Sequence, residues 1–167
     1  MAEKREEIGR HAAVTGFANE LIATGILMKR YGNVSQVNLP LSPYDIVAVF
    51  RGGDGKENFV RAQIRTAEKS VKFTSGSRGG VDRTYKSGEK TYRQSTMTSD
   101  VVVGISDVGS NSFDLYFVPT VLIEVLSQDS FSLSKIEDLK NNYEMFERCK
   151  DESFVLENSR EFGILSK

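Results

Sequence analysis

The sequence predicts an α/β domain: a mixed central sheet of about five strands, flanked by an N-terminal and a C-terminal helix. Three observations carry this. Apolar residues recur at three- and four-residue steps over the first thirty or so positions. Short β-branched and aromatic runs, separated by Gly, Pro, Asn and Asp, fill the middle of the chain. A second helical stripe then appears near the end.

The N-terminal helix is expected over residues 6–31, with Ile8, Ala12, Ala13, Phe17, Leu21, Ala23, Thr24, Leu27 and Met28 as its periodic set. Lys29 and Arg30 form a basic last turn, and Gly32-Asn33 is a stop signal. Gly16 and Gly25 lie inside this pattern, where each costs about 1 kcal/mol against alanine, so they are expected to serve close packing or a bend.

Residues 34–39 alternate as a strand does, and Pro40 and Pro43 bound a short connection. Residues 44–50 (YDIVAVF) and 58–66 (NFVRAQIRT) are two more strand-like runs, with a strong turn signal at 51–57. Residues 71–74 continue or start a strand. Residues 75–97, rich in Ser, Gly, Thr and Tyr, have little to bury and read as a long, mobile excursion. Residues 100–105 and 113–119 are strands joined by a turn at 107–111, and 121–126 is a further apolar run. Ser134-Lys-Ile-Glu137 has the form of a capping box opening a C-terminal helix. Ile136, Leu139, Tyr143, Phe146 and Cys149 would be its apolar stripe. Residues 153–165 have no clear assignment.

The chain has 167 residues, of which 39% are hydrophobic and 27% charged, the proportions of one globular domain with a sizeable core. One cysteine, Cys149, and one histidine, His11, exclude an intrachain disulfide, a Cys/His zinc site and any scheme that needs two histidines. Metal chemistry would have to use oxygen donors, which favour a hard cation such as Mg²⁺ or Mn²⁺. The first residues are charged, with no apolar run behind them, and no window has the length of a membrane span. The expectation is a cytoplasmic protein without membrane association.

Residues 44–66 are the most informative stretch. A hairpin centred near Asp54 places Asp45 opposite Gln63. One face then carries Asp45, Val47, Val49, Phe59, Arg61, Gln63 and Arg65. The other carries Ile46, Ala48, Phe50, Val60, Ala62 and Ile64 and must be buried. The polar cluster has two readings. It is an exposed, charged sheet face with an incidental Asp–Arg pair. Alternatively it is a metal and phosphate site, in which Asp45 supplies a carboxylate oxygen, Gln63 an amide oxygen and Arg65 a positive charge. A slip of one residue in register would separate Asp45 from Gln63.

Residues 61–93 hold nine basic residues (Arg61, Arg65, Lys69, Lys72, Arg78, Arg83, Lys86, Lys90 and Arg93) against three acidic ones, in a chain whose net charge is -1. Tyr85 and Tyr92 are interleaved. Segregated charge with tyrosines suits a segment that follows a nucleic-acid backbone, or one that docks an acidic protein surface.

In order, the chain shows a helix with Gly16-Phe-Ala-Asn-Glu20, then Tyr44-Asp45, then Val60-Arg-Ala-Gln63-Ile-Arg65-Thr66-Ala67, then Ser99-Asp-Val-Val-Val103 and Leu115-Tyr-Phe-Val-Pro119. Over roughly residues 10 to 120 this resembles the PD-(D/E)XK nucleases, in the branch of archaeal-type resolvases and restriction- or homing-type endonucleases. The resemblance implies a restriction-endonuclease-like core spanning 1–167 as one domain. It implies a Mg²⁺- or Mn²⁺-dependent endonuclease acting on duplex or branched DNA as a homodimer. Glu20 matches the helix glutamate, Asp45 the metal aspartate and Gln63 the E/Q position, all three as metal ligands. Arg65 stands where the family has lysine. An arginine keeps the charge and binds phosphate in bidentate fashion, but it cannot act as a base near neutral pH. The alternative is a nuclease fold that binds nucleic acid or a protein partner without cleaving.

Overall fold

The computed structural model describes residues 2–39, 42–75 and 92–166. Arg78, Arg83, Tyr85, Lys86 and Lys90, expected to meet nucleic acid, lie outside the described residues, as does the Tyr92 side chain.

Helix α1 (Ala2–Tyr31) leads into β1 (Asn33–Gln36), β2 (Ile46–Arg51) and β3 (Glu57–Thr66). Short strands β4 (Ser70–Lys72), β5 (Thr74–Ser75) and β6 (Tyr92–Arg93) precede the long strands β7 (Val101–Gly109) and β8 (Ser112–Pro119). Then follow α2 (Thr120–Leu126), β9 (Ser130–Ser132), a 3-10 helix (Leu133–Leu139), α3 (Tyr143–Glu147) and α4 (Glu152–Glu161). The central sheet has five strands in the order β1-β2-β3-β7-β8. Only the β3–β7 contact in it is parallel, so the sheet is mixed. Parallel neighbours need a crossover. Here the crossover carries β4 paired with β9 and β5 paired with β6.

The hairpin register is the expected one, with Ile46 opposite Ala62, Val47 opposite Arg61 and Ala48 opposite Val60. The expected apolar face is buried: Ile46, Ala48, Val60, Ala62 and Ile64 join Val101, Val103, Ile105, Leu115 and Phe117 beneath Ala23 and Leu27 of α1. A second core lies on the other face of β7 and β8. There Val102, Tyr116 and Val118 meet Val71, Phe73, Leu122, Ile123, Phe131 and Ile136. The same face of β2 and β3 is less covered. Val47 and Val49 are half-buried there, and Phe59 is 56% exposed.

Three expectations need correction. The N-terminal stripe is the buried face of α1 only in part. Ile8, Phe17, Leu21 and Met28 are exposed, whereas Ala23, Thr24 and Leu27 are buried and Ile22 and Ile26 pack beside them. Only the C-terminal half of α1 lies on the sheet core. Gly16 and Gly25 serve no close approach, because a Cβ at either would meet nothing within 4 Å. The single C-terminal helix is two pieces, the 3-10 helix and α3. Asn141 adopts φ 52°, and its backbone and side chain pair with Leu115 of β8 (Asn141 N to Leu115 O 2.6 Å, Leu115 N to Asn141 Oδ1 2.9 Å), which ends the helical run. Ser134 caps nothing, since the 3-10 helix begins at Leu133 after Ser132. The expected stripe is split: Ile136 and Leu139 enter the second core, Phe146 and Cys149 the first. The apolar run after Pro119 is α2, and the unassigned tail is α4.

Gly32 does stop α1, at φ 75° with its N–H on Met28 O at 2.8 Å. Among the described residues, no helix is long and apolar enough to cross a membrane.

Candidate metal and nucleic-acid site

Asp45 sits just before β2, where three strands fix its backbone. Its N–H donates to Ala62 O at 2.9 Å, and its carbonyl accepts from Val37 N at 2.8 Å. The side chain is 5% exposed, and that of Gln63 is 1% exposed. Asp45 Oδ2 accepts a hydrogen bond from the Ile64 N–H at 2.8 Å and a second from Gln63 Nε2. A buried carboxylate needs such donors, because each unmet one leaves the desolvation of the charge uncompensated. The Asp45–Gln63 part of the cluster is therefore enclosed, unlike an exposed sheet face.

Glu20, on the middle of α1, is half-buried. It lines a cleft of about 380 Å³ with Phe17, residues 36–39 at the end of β1 and just beyond it, and Asp45. The fold thus brings the helix glutamate and the strand aspartate to one opening. Arg65 lies two residues beyond Gln63 on the same face of β3. Its Nη1 donates to Ile64 O at 3.2 Å, so the residue that bonds Asp45 through its N–H is held by Arg65 through its carbonyl.

Among the described residues, no three His, Cys, Asp or Glu side chains gather in a form that would hold a metal. The donors around the cleft are two carboxylates, Asp45 and Glu20, with the Gln63 amide behind them. The two carboxylates offer the oxygen ligands that a hard divalent cation takes. Gln63 turns its nitrogen, not its oxygen, toward Asp45.

Arg61 faces Asp100 rather than Asp45. Its backbone N and Nη2 each donate to the Asp100 carboxylate at 2.8 Å, and Nε reaches it at 3.3 Å. The Asp100 side chain raises the Arg61 pKa further above its usual value by hydrogen bonding. Lys69 and Lys72 are exposed and line a second cleft, of about 620 Å³, with His11 and Thr15 of α1. Glu68 lines it too. Arg93 is engaged by Asp129 at 2.7 Å and by Ser127. Cys149 is buried, and burial pushes its thiol up to about 12, as suits a core residue.

The sequence reading missed Gln94, Ser99 and Asp100 as parts of this site. Gln94 is fully buried beside Gln63, and Asp100 secures Arg61. Ser99-Asp100 directly precedes β7 and was legible only as part of a strand motif.

No family model matches the chain, and no curated protein matches it. Among solved structures it is similar to a bacterial homing endonuclease, I-Ssp6803I, with a TM-score of 0.53 over 72% of this chain and 76% of that one, at 15% identity. At that identity the likeness is one of fold, and the α/β architecture with a five-stranded mixed sheet is what the two share.

Proposed function

We propose that the chain is a metal-dependent DNA endonuclease of the PD-(D/E)XK type, one nuclease-like unit over 1–167, using Mg²⁺ or Mn²⁺. The observation that carries this reading is the buried Asp45 carboxylate, bonded to Gln63 and sharing one cleft with Glu20. Asp45 and Glu20 would hold the cation, with Gln63 as the third donor. The bound ion would supply Lewis acidity toward a phosphoryl oxygen and an acidified water. Asp45 is suited to its part because its backbone is clamped and does not reorganise when charge changes nearby.

Arg65 carries the positive charge on this face. Its role is to bind a phosphate and to offset charge that develops there, not to take a proton. Lys69 and Lys72, with the basic residues of 76–91 and Tyr85 and Tyr92, would follow the backbone of duplex or branched DNA. A homodimer would let two such sites reach both strands.

The arginine at position 65 favours a second reading, a nuclease fold that binds nucleic acid without cleaving it. Supercoiled plasmid incubated with the protein in Mg²⁺ and in Mn²⁺ separates the two, with Asp45→Ala prepared identically. Nicking that the variant lacks supports the endonuclease. Equal behaviour of both proteins, with salt-sensitive binding retained, supports binding alone.

A further inference from the structure

Asp45 is the end of a chain of side-chain amides. Gln94 follows β6 directly, is fully buried, and donates its backbone N–H to Phe73 O at 2.8 Å. Its Nε2 lies 3.5 Å from Gln63 Oε1 and 3.3 Å from Pro43 O. Its Oε1 accepts from Thr98 Oγ1 at 2.7 Å and from Ser99 Oγ at 3.0 Å. Gln63 in turn donates from Nε2 to Asp45 Oδ2 and to Ile64 O, the latter at 3.3 Å. Both amides have their donors and acceptors engaged.

The chain has a direction. An ionised carboxylate only accepts, so Gln63 meets Asp45 nitrogen first. An amide nitrogen is no ligand for a hard cation, whereas the amide oxygen is. Turning the Gln63 amide over would bring its oxygen to Asp45, but it would also set Nε2 against Gln94 Nε2, donor against donor. Gln94 resists turning with it, because its own oxygen would then face the Pro43 carbonyl. Ile64 O does not resist, since Arg65 Nη1 also donates to it. Once a cation offsets the carboxylate's own preference for nitrogen, the obstacle left to an oxygen-first Gln63 is Gln94.

We propose that Gln94 is a positioning residue: it fixes which end of the Gln63 amide faces Asp45, and so sets the affinity of the Asp45 cleft for a divalent ion. This rests on the metal reading above. It places control of the site on a residue about thirty positions away in sequence, in the crossover rather than in the hairpin.

The test is Mn²⁺ titration by calorimetry of the wild type, Gln94→Glu, Gln63→Met and the double variant. In its ionised form Gln94→Glu offers Gln63 only acceptors, so Gln63 turns its nitrogen to position 94 and its oxygen to Asp45. Mn²⁺ then binds about tenfold more tightly, the scale of changes made behind a metal ligand. With Gln63→Met there is no amide to turn, and Gln94→Glu gives no such gain. An equal gain in both backgrounds would reflect added charge alone and overturns the proposal, as does an unchanged affinity in folded Gln94→Glu. A second measurement needs no variant. In ¹⁵N-labelled wild type, Mg²⁺ should move the side-chain amide resonances of Gln63 and Gln94 together, and a Gln63 resonance that stays fixed while the Asp45 backbone amide shifts also overturns it. Wild type that binds no Mn²⁺, or binding that survives Asp45→Asn, instead overturns the metal reading itself and the proposal with it.

Discussion

Asp100 holds Arg61 at three points: the backbone N–H, Nε and Nη2 all donate to its carboxylate. Asp100 N also donates to Arg61 O at 2.8 Å, so the two residues lock the start of β7 to β3. This guanidinium is a strut of the sheet. Arg61→Ala should therefore lower stability by about 1–3 kcal/mol, the cost of leaving a largely buried carboxylate short of donors. Chemical denaturation reads this directly.

Lys69 and Lys72 stand in contrast to Arg61, since they are exposed along the second cleft. Each Lys→Ala change should weaken DNA binding and reduce the slope of log K against log salt by about one. Stability should be unchanged. Fluorescence anisotropy at several salt concentrations measures the slope, and a slope equal to that of wild type would remove these lysines from the DNA path.

Gly104 lies in β7 opposite Arg65, and a Cβ there would run into Val71 Cγ2 and come within 3.3 Å of the Ala67 Cβ. Gly104→Ala should cost about 1–3 kcal/mol through overpacking. Val71→Ala in the same chain should recover part of that loss, although it is destabilising alone. A thermal-melt double-mutant cycle shows the sign of the coupling.

Cys149 should be inert in the native state. Burial pushes its thiol up to about 12, so little thiolate forms at pH 8. A thiol reagent added at pH 8 should react only after denaturant unfolds the chain. Prompt labelling of the folded protein would show that α3 and the first core open readily.

Asp151 caps α4, accepting from Phe154 N at 3.1 Å, and pairs with Arg148 at 2.7 Å. The Arg148 hydrogen bond, followed by that from Phe154, holds its pKa below the ordinary 3.8. A depressed carboxylate contributes stability above its unfolded value. That contribution fades as the pH falls below 3.8 toward the folded value. Asp151→Asn should therefore narrow the stability difference from wild type as the pH is lowered through this range, as followed by urea melts.

The Asp45–Gln63 pairing was legible because a hairpin needs only its turn located. The two-residue period then assigns every side chain to a face, and the wholly apolar set from Ile46 to Ile64 admits one register. The face of α1 was harder. Apolar residues surround that helix, and only tertiary contact with Ile46 and its neighbours selects Ala23 and Leu27 over Phe17 and Leu21. The break at Asn141 escaped because local pattern favoured a continuous helix, while the pairing of Asn141 with Leu115 was worth more. Gln94, and the hold of Asp100 on Arg61, were invisible for a related reason. A parallel pair leaves the path of its crossover open, and residue spacing says nothing about where such a path returns.

The strand pair β5–β6 sets Ser75 opposite Tyr92. The residues on either side of 76–91 are thereby paired neighbours, so both anchor points of anything placed between them are fixed by one stem. Because closing a loop costs little more as the loop lengthens, inserts of very different size or charge can be plugged in without redrawing the sheet. The segment between Ser75 and Tyr92 is thereby separable from the Asp45 cleft, and an engineer could exchange the one while keeping the other.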